Sequence, residues 1–156
     1  MSGPAVGELA PDFDLPTDGG GRVSLSSLKG RLVVLYFYPK DDTPGCTNEA
    51  KAFSEAAAEF EAAGVTVIGA SKDSLARNEK FKAKYGLNLI LASDAESTVI
   101  EAYGSWVEKS LYGRQYMGID RSTFLFDKAG TLARVWRKVR VPGHAVDVLE
   151  AVRELG

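Results

Sequence analysis

The sequence predicts an α/β domain with a central mixed sheet, helices on both faces and a short strand extension at the N-terminus. Three observations carry this. Arg31 to Tyr38 (RLVVLYFY) and Val65 to Ala70 (VTVIGA) are short, nearly all apolar runs rich in β-formers, the mark of strands covered on both faces. The first leads into a segment in which apolar residues recur at helical spacing, and the second into a capped helix that stops at Gly86. Near the C-terminus, Asp127-Lys128-Ala129-Gly130 separates two further β-rich runs, which makes an antiparallel hairpin.

Met1 to Leu9 reads as a loose arm. Phe13 and Leu15 alternate with Asp12 and Asp14, and Val23 and Leu25 follow, giving two short strands. Between them, Thr17-Asp18-Gly19-Gly20-Gly21 is a turn, its glycines free to take positive φ. No Gly-Lys-Ser/Thr follows, so this is not a phosphate loop. Ser26 to Leu28 forms a helical turn before the buried strand of Arg31 to Tyr38.

The alanine-rich segment Glu49 to Ala63 places Ala50, Phe53, Ala57 and Phe60 on one helical face, leaves Glu55, Glu59 and Glu61 for solvent, and ends at Gly64. The strand Val65 to Ala70 follows. Asp73 or Ser74 caps the next helix, which stops at Gly86. Leu87 to Ala92 is a third strand, and Asp94 to Tyr103 a short helix ending at Gly104. Trp106 to Met117 reads as a packed surface loop. Ser122 to Phe126 and Thr131 to Val139 are the hairpin strands, and Ala145 to Leu155 the last helix after the break at Pro142-Gly143. The order β-α-β-α-β, hairpin, helix matches a thioredoxin-like α/β domain, with right-handed crossovers placing helices on both faces.

A length of 156 residues fits one domain, 1–156, with a sizeable core. A net charge of −2 makes no general electrostatic case for nucleic acid or an anionic membrane. No apolar run approaches the roughly 20 residues that span a bilayer. The N-terminus has no basic start followed by an apolar block, so it is not a secretory signal. One cysteine builds no internal disulfide, and the expected location is a reducing cytoplasm. One cysteine and one histidine argue against a metal site, and no cofactor is expected.

That cysteine lies in Pro39-Lys40-Asp41-Asp42-Thr43-Pro44-Gly45-Cys46, where a strand gives way to a helix. Thr43 is a good N-cap and Pro44 falls at the first helical position, where its missing N–H costs nothing. Cys46 is then the third helical residue, at the positive end of the helix dipole among unpaired backbone N–H groups. Such a place favours the nucleophilic thiolate. A small buried hydrophobe is the other fate of a free cysteine.

The pattern Pro-x-x-x-Thr-x-x-Cys, here Pro39, Thr43 and Cys46, resembles the active-site motif of the peroxiredoxins. The longer string YFYPKDDTPGCTNEA resembles the bacterioferritin-comigratory (peroxiredoxin Q) branch, and the similarity continues through GIDRSTFLFD and VWRKVRVPGHA. The resemblance implies a thiol-dependent peroxidase acting on hydrogen peroxide and organic hydroperoxides. Cys46 is then the attacking sulfur and becomes a sulfenic acid. The Thr43 hydroxyl contacts sulfur or peroxide, Pro39 shapes and shields the loop, and Arg121 is the catalytic arginine. Without the motif, Arg121 reads as a solvated strand-end residue.

Many members of this branch carry a second cysteine five residues on; here that position is Lys51. The expectation is a one-cysteine cycle completed by an external thiol: thioredoxin, glutaredoxin or glutathione. A peroxide-sensing module that passes its oxidation to a partner protein is the alternative. The expected state is a monomer, with a weak dimer as the alternative.

Other constellations carry less. His144, the only histidine, would serve a cysteine hydrolase as general base, but a helix-start or surface role is preferred. Cys46-Thr47-Asn48-Glu49 is not Cys-x-x-Cys, which argues against a disulfide oxidoreductase. Arg134, Lys138 and Arg140 share a strand face and read as solvated, as do Asp41 and Asp42. Tyr112, Tyr116 and Met117 would form an apolar collar for organic substrates only if Trp106 to Met117 lies beside the thiol.

Overall fold

The computed structural model describes residues 3–155; Met1, Ser2 and Gly156 lie outside the described residues. In chain order the elements are β1 (Asp14–Pro16), β2 (Arg22–Ser24), β3 (Leu32–Phe37), α1 (Pro44–Glu55), α2 (Ala57–Ala62), β4 (Val65–Ser71), α3 (Leu75–Tyr85) and β5 (Ile90–Ser93). Then come α4 (Thr98–Ala102), β6 (Trp106–Leu111), β7 (Arg114–Ile119), β8 (Ser122–Phe126), β9 (Leu132–Trp136) and α5 (His144–Leu155).

The central sheet has the order β5-β4-β3-β8-β9. β3, β4 and β5 run parallel, and β8 pairs antiparallel with both β3 and β9. β3 is buried along its whole length, and its side chains alternate between two apolar layers. Leu32, Val34 and Tyr36 meet Phe53 of α1, Phe60 of α2, Phe81 of α3 and Val148 and Val152 of α5. Val33, Leu35 and Phe37 meet Leu15 and Val23 of the N-terminal hairpin and Val99 and Ile100 of α4. A mixed sheet with helices on both faces and an N-terminal strand pair is the predicted thioredoxin-like fold.

Four expectations are corrected. The arm is not loose where it is described: Gly7 N–H donates to Leu132 O at 2.8 Å, and Leu132 N–H to Glu8 O at 2.9 Å. β9 is a sheet edge, and its open backbone groups recruit the arm. The expected surface loop Trp106 to Met117 is instead the antiparallel pair β6-β7. Its turn has left-handed backbone at both Tyr112 (φ 51°) and Gly113 (φ 76°), the geometry that joins hairpin strands in two residues. Tyrosine is no turn signal, so this pair was not legible.

The long alanine-rich helix is two helices, broken at Ala56 (φ −91°, ψ 6°), with no local breaker to mark it. Finally, Arg134, Lys138 and Arg140 do not share a strand face. β9 ends at Trp136, and Lys138 turns the chain at φ 50°.

Candidate active site

β3 delivers the chain to Pro39, half-buried, and a short loop carries it to α1. Thr43 is extended (φ −101°, ψ 156°), Pro44 opens the helix, and Cys46 lies in its first turn, as the sequence predicts. The cap differs in its chemistry. The Thr43 hydroxyl makes no hydrogen bond to the helix; it donates to Lys40 O at 2.8 Å and closes the loop on itself. The Thr43 carbonyl accepts from Thr47 N–H at 2.8 Å and starts the helical ladder.

Cys46 is 1% exposed, yet it is not sealed in hydrocarbon alone. The register Phe37↔Ser122 puts the start of β8 beside the end of β3. Arg121, one residue before β8, therefore reaches the mouth of α1. Its Nη2 donates to Cys46 Sγ at 3.3 Å and its Nη1 to Glu49 Oε1 at 2.7 Å. One planar guanidinium thus spans sulfur and carboxylate with two donors.

Glu49 and Gly45 were not singled out from the sequence. Glu49 is 1% exposed, and its second oxygen has no hydrogen-bond partner among the described residues. Burial pushes its carboxyl up to about 7, against the pull of Arg121's charge. The available signal was its spacing: three residues after Cys46 it shares the buried face of the helix. At Gly45, an added Cβ would sit 3.3 Å from Arg121 Nη2, so the glycine leaves room for the guanidinium.

His144 is not beside the sulfur in any bonded sense and is not at the surface. It is buried, its Nε2 lies 2.7 Å from Thr123 Oγ1, and its ring meets Phe53 and Trp136 edge-on. Burial pushes its pKa down to about 4, so it is a neutral core histidine at pH 7.

Asp41 and Asp42 do not simply solvate the loop. Asp41 is 2% exposed and accepts from Tyr38 Oη. Asp42 accepts from Lys84 Nζ and Tyr85 Oη. Lys51 is exposed, its ammonium 5.4 Å from the centre of the Tyr85 ring. Tyr112, Tyr116 and Met117 are exposed on the β6-β7 hairpin.

A thioredoxin-like domain with a lone cysteine in the first turn of a helix, faced by an arginine just before the neighbouring strand, is the arrangement expected of a thiol peroxidase. The AhpC/TSA family profile matches residues 6–135, and the chain belongs to that family. It is 45% identical to the peroxiredoxin Bcp of Bacillus subtilis over 96% of each chain. It is similar in structure to the Xanthomonas campestris bacterioferritin comigratory protein, solved as trapped intermediate and ligand complexes bearing on alkyl peroxide reduction. There the TM-score is 0.87 and the identity 41%, over 91% of this chain and 90% of that one. A cysteine-to-serine mutant of Xylella fastidiosa PrxQ superposes with a TM-score of 0.93 at 35% identity, over 99% and 98% of the two chains.

Proposed function

We propose that this peroxiredoxin reduces hydrogen peroxide and organic hydroperoxides through Cys46 and completes its cycle with an external thiol. The observation that carries the reading is the 3.3 Å approach of Arg121 Nη2 to Cys46 Sγ at the mouth of α1. The sulfur attacks one peroxide oxygen as its thiolate. The O–O bond breaks, sulfur is oxidised by two electrons to a sulfenic acid, and the other oxygen leaves with the bonding pair and takes a proton. Arg121 supports the negative charge as it passes from sulfur to the leaving oxygen. The Thr43 hydroxyl already donates to Lys40 O, which leaves its lone pairs to accept from the peroxide O–H. Half-buried Pro39 shields one side.

The sulfenic acid then needs two thiols from outside. The first displaces water and forms a mixed disulfide; the second releases the Cys46 thiol and leaves as the disulfide. The absence of another cysteine in the sequence supports this course. Cys46 is 1% exposed, so reaction with a bulky thiol calls for a larger opening of the first turn of α1 than reaction with a small peroxide. A lone free cysteine suits a reducing cytoplasm, where this activity would serve redox homeostasis. Among the described residues, no helix is long and apolar enough to cross a membrane. The chain acts as one domain, 1–156, and as a monomer.

The test is peroxide consumption by the wild type and Cys46→Ser, each with thioredoxin and with glutathione/glutaredoxin. Sustained turnover by the wild type and none by the variant is expected. Equal consumption by both would end the proposal, and a wild type that stalls after one equivalent with every reductant would favour the sensor.

A further inference from the structure

The loop that enters α1 is clamped to α3 and to the end of β4 by groups the peroxide chemistry does not use. Asp41 Oδ1 accepts from Tyr38 Oη at 2.5 Å, and Asp41 N–H donates to Asp73 Oδ2 at 2.7 Å. Ser71 Oγ donates to the same Asp73 oxygen at 2.8 Å, and Asp73 Oδ1 is held by Arg77 Nε at 3.1 Å. Arg77 Nη2 also reaches Asp41 O at 3.4 Å. One residue on, Asp42 turns the chain at φ 61° and ties to Lys84 and Tyr85. The next residue is Thr43, and the one after it opens the helix that carries Cys46.

We propose that Asp41 is a positioning residue for peroxide reduction: its buried, ionised carboxylate, gripped by Tyr38, holds the loop that sets Thr43 and the first turn of α1 in register with Arg121. This rests on Cys46 being the reacting sulfur. A hydrogen bond to an ionised oxygen is shorter and stronger than one to a neutral carboxyl, so the grip is firmest with Asp41 charged. The groups that face Asp41 are Tyr36 and Tyr38 from β3 and its end, Asp73 after β4, Arg77 of α3, and Asp42 of its own loop. Burial, with Asp73 adding to it, raises the Asp41 carboxyl to about 6 against the hydrogen bond from Tyr38. Mild acid therefore neutralises Asp41 and slackens the loop before the other contacts are lost.

The experiment is the single-turnover rate of hydrogen peroxide loss across pH for wild type, Asp41→Asn, Asp41→Ala and Tyr38→Phe. Asp41→Asn keeps the shape and the acceptor oxygen but cannot charge. It is expected to be about threefold slower than wild type near pH 7.5 and equal to it near pH 5, since only the charge-assisted part of the bond is lost. Asp41→Ala is expected to be about tenfold slower at pH 7.5, as a loop displaced by a fraction of an ångström would give. Tyr38→Phe should follow Asp41→Asn. A wild-type to Asp41→Asn ratio that stays flat with pH overturns the proposal, because a purely structural side chain behaves that way. Cys46→Ser run alongside separates the two readings: residual wild-type rate in that variant overturns both, whereas a flat ratio with an inert Cys46→Ser overturns this one alone.

Discussion

Glu49 Oε1 accepts from Arg121 Nη1 at 2.7 Å, while the same guanidinium holds Cys46 Sγ with its other terminal nitrogen. The carboxylate fixes the fork that the sulfur uses. Glu49→Ala is expected to slow peroxide reduction by about tenfold to a hundredfold, because the guanidinium loses its fixed orientation. Stopped-flow measurement of peroxide loss checks this, and a rate within twofold of wild type would contradict it.

The same carboxyl gives a pH dependence of stability. Burial raises it from 4.5 to about 7, so between those values the folded chain binds a proton that the unfolded chain does not. Its contribution is fully present below 4.5 and is lost as pH rises through 7. Glu49→Gln cannot titrate. Its Tm should decline less than that of the wild type between about pH 5 and 8. Parallel curves would show that Glu49 does not titrate in this window.

Gly45→Ala separates stability from rate. A Cβ there lies 3.3 Å from Arg121 Nη2, so the guanidinium must shift off the sulfur by a few tenths of an ångström. Alanine in a helical position stiffens the unfolded chain and adds about 0.4–1 kcal/mol. The expected variant melts no lower than wild type and reduces peroxide several-fold more slowly. Arg121→Lys, with one ammonium in place of the fork, should lose about a hundredfold in rate.

His144 predicts an acid-side loss of stability without a role in the chemistry. Burial lowers its pKa from 6.5 to about 4. The unfolded chain therefore takes up a proton first, and the contribution present above 6.5 disappears as pH falls toward 4, on the order of 3 kcal/mol in all. His144→Gln keeps a hydrogen bond to Thr123 and cannot charge. It should flatten the acid limb of the Tm curve and hold the peroxide rate within about twofold of wild type. Loss of activity would restore a catalytic histidine.

Gly69→Ala tests the packing beneath the site. An added Cβ would lie 2.7 Å from Tyr36 Cζ. Tyr36 has no room to retreat: it is fully buried and stacked on Phe53 with ring centres 4.7 Å apart. Overpacking there should cost about 1–3 kcal/mol, read as a lower Tm. An unchanged Tm would mean that Tyr36 is loosely held.

The central strands were legible because they are buried on both faces, which leaves unbroken apolar runs in β3 and β4. The start of α3 was legible in Ser74, whose hydroxyl accepts from Arg77 N–H, and its end in Gly86 at φ 61°. The β6-β7 pair was not, since its turn is formed by Tyr112 and its exposed faces carry no alternation. Asp41 and Glu49 were not legible as buried. An acidic letter states a charge; it does not state which neighbours from α3 or β8 will surround it.

By itself, the sequence determined the class of fold and the place of the cysteine, because strand burial, helix spacing and the Thr43-Pro44 start are local properties of the chain. The pairing of β3 with β8 decided the rest. It alone brings Arg121 to Cys46 and Glu49 on α1, and contacts between residues so far apart are set by how the layers pack, which no short stretch of sequence encodes.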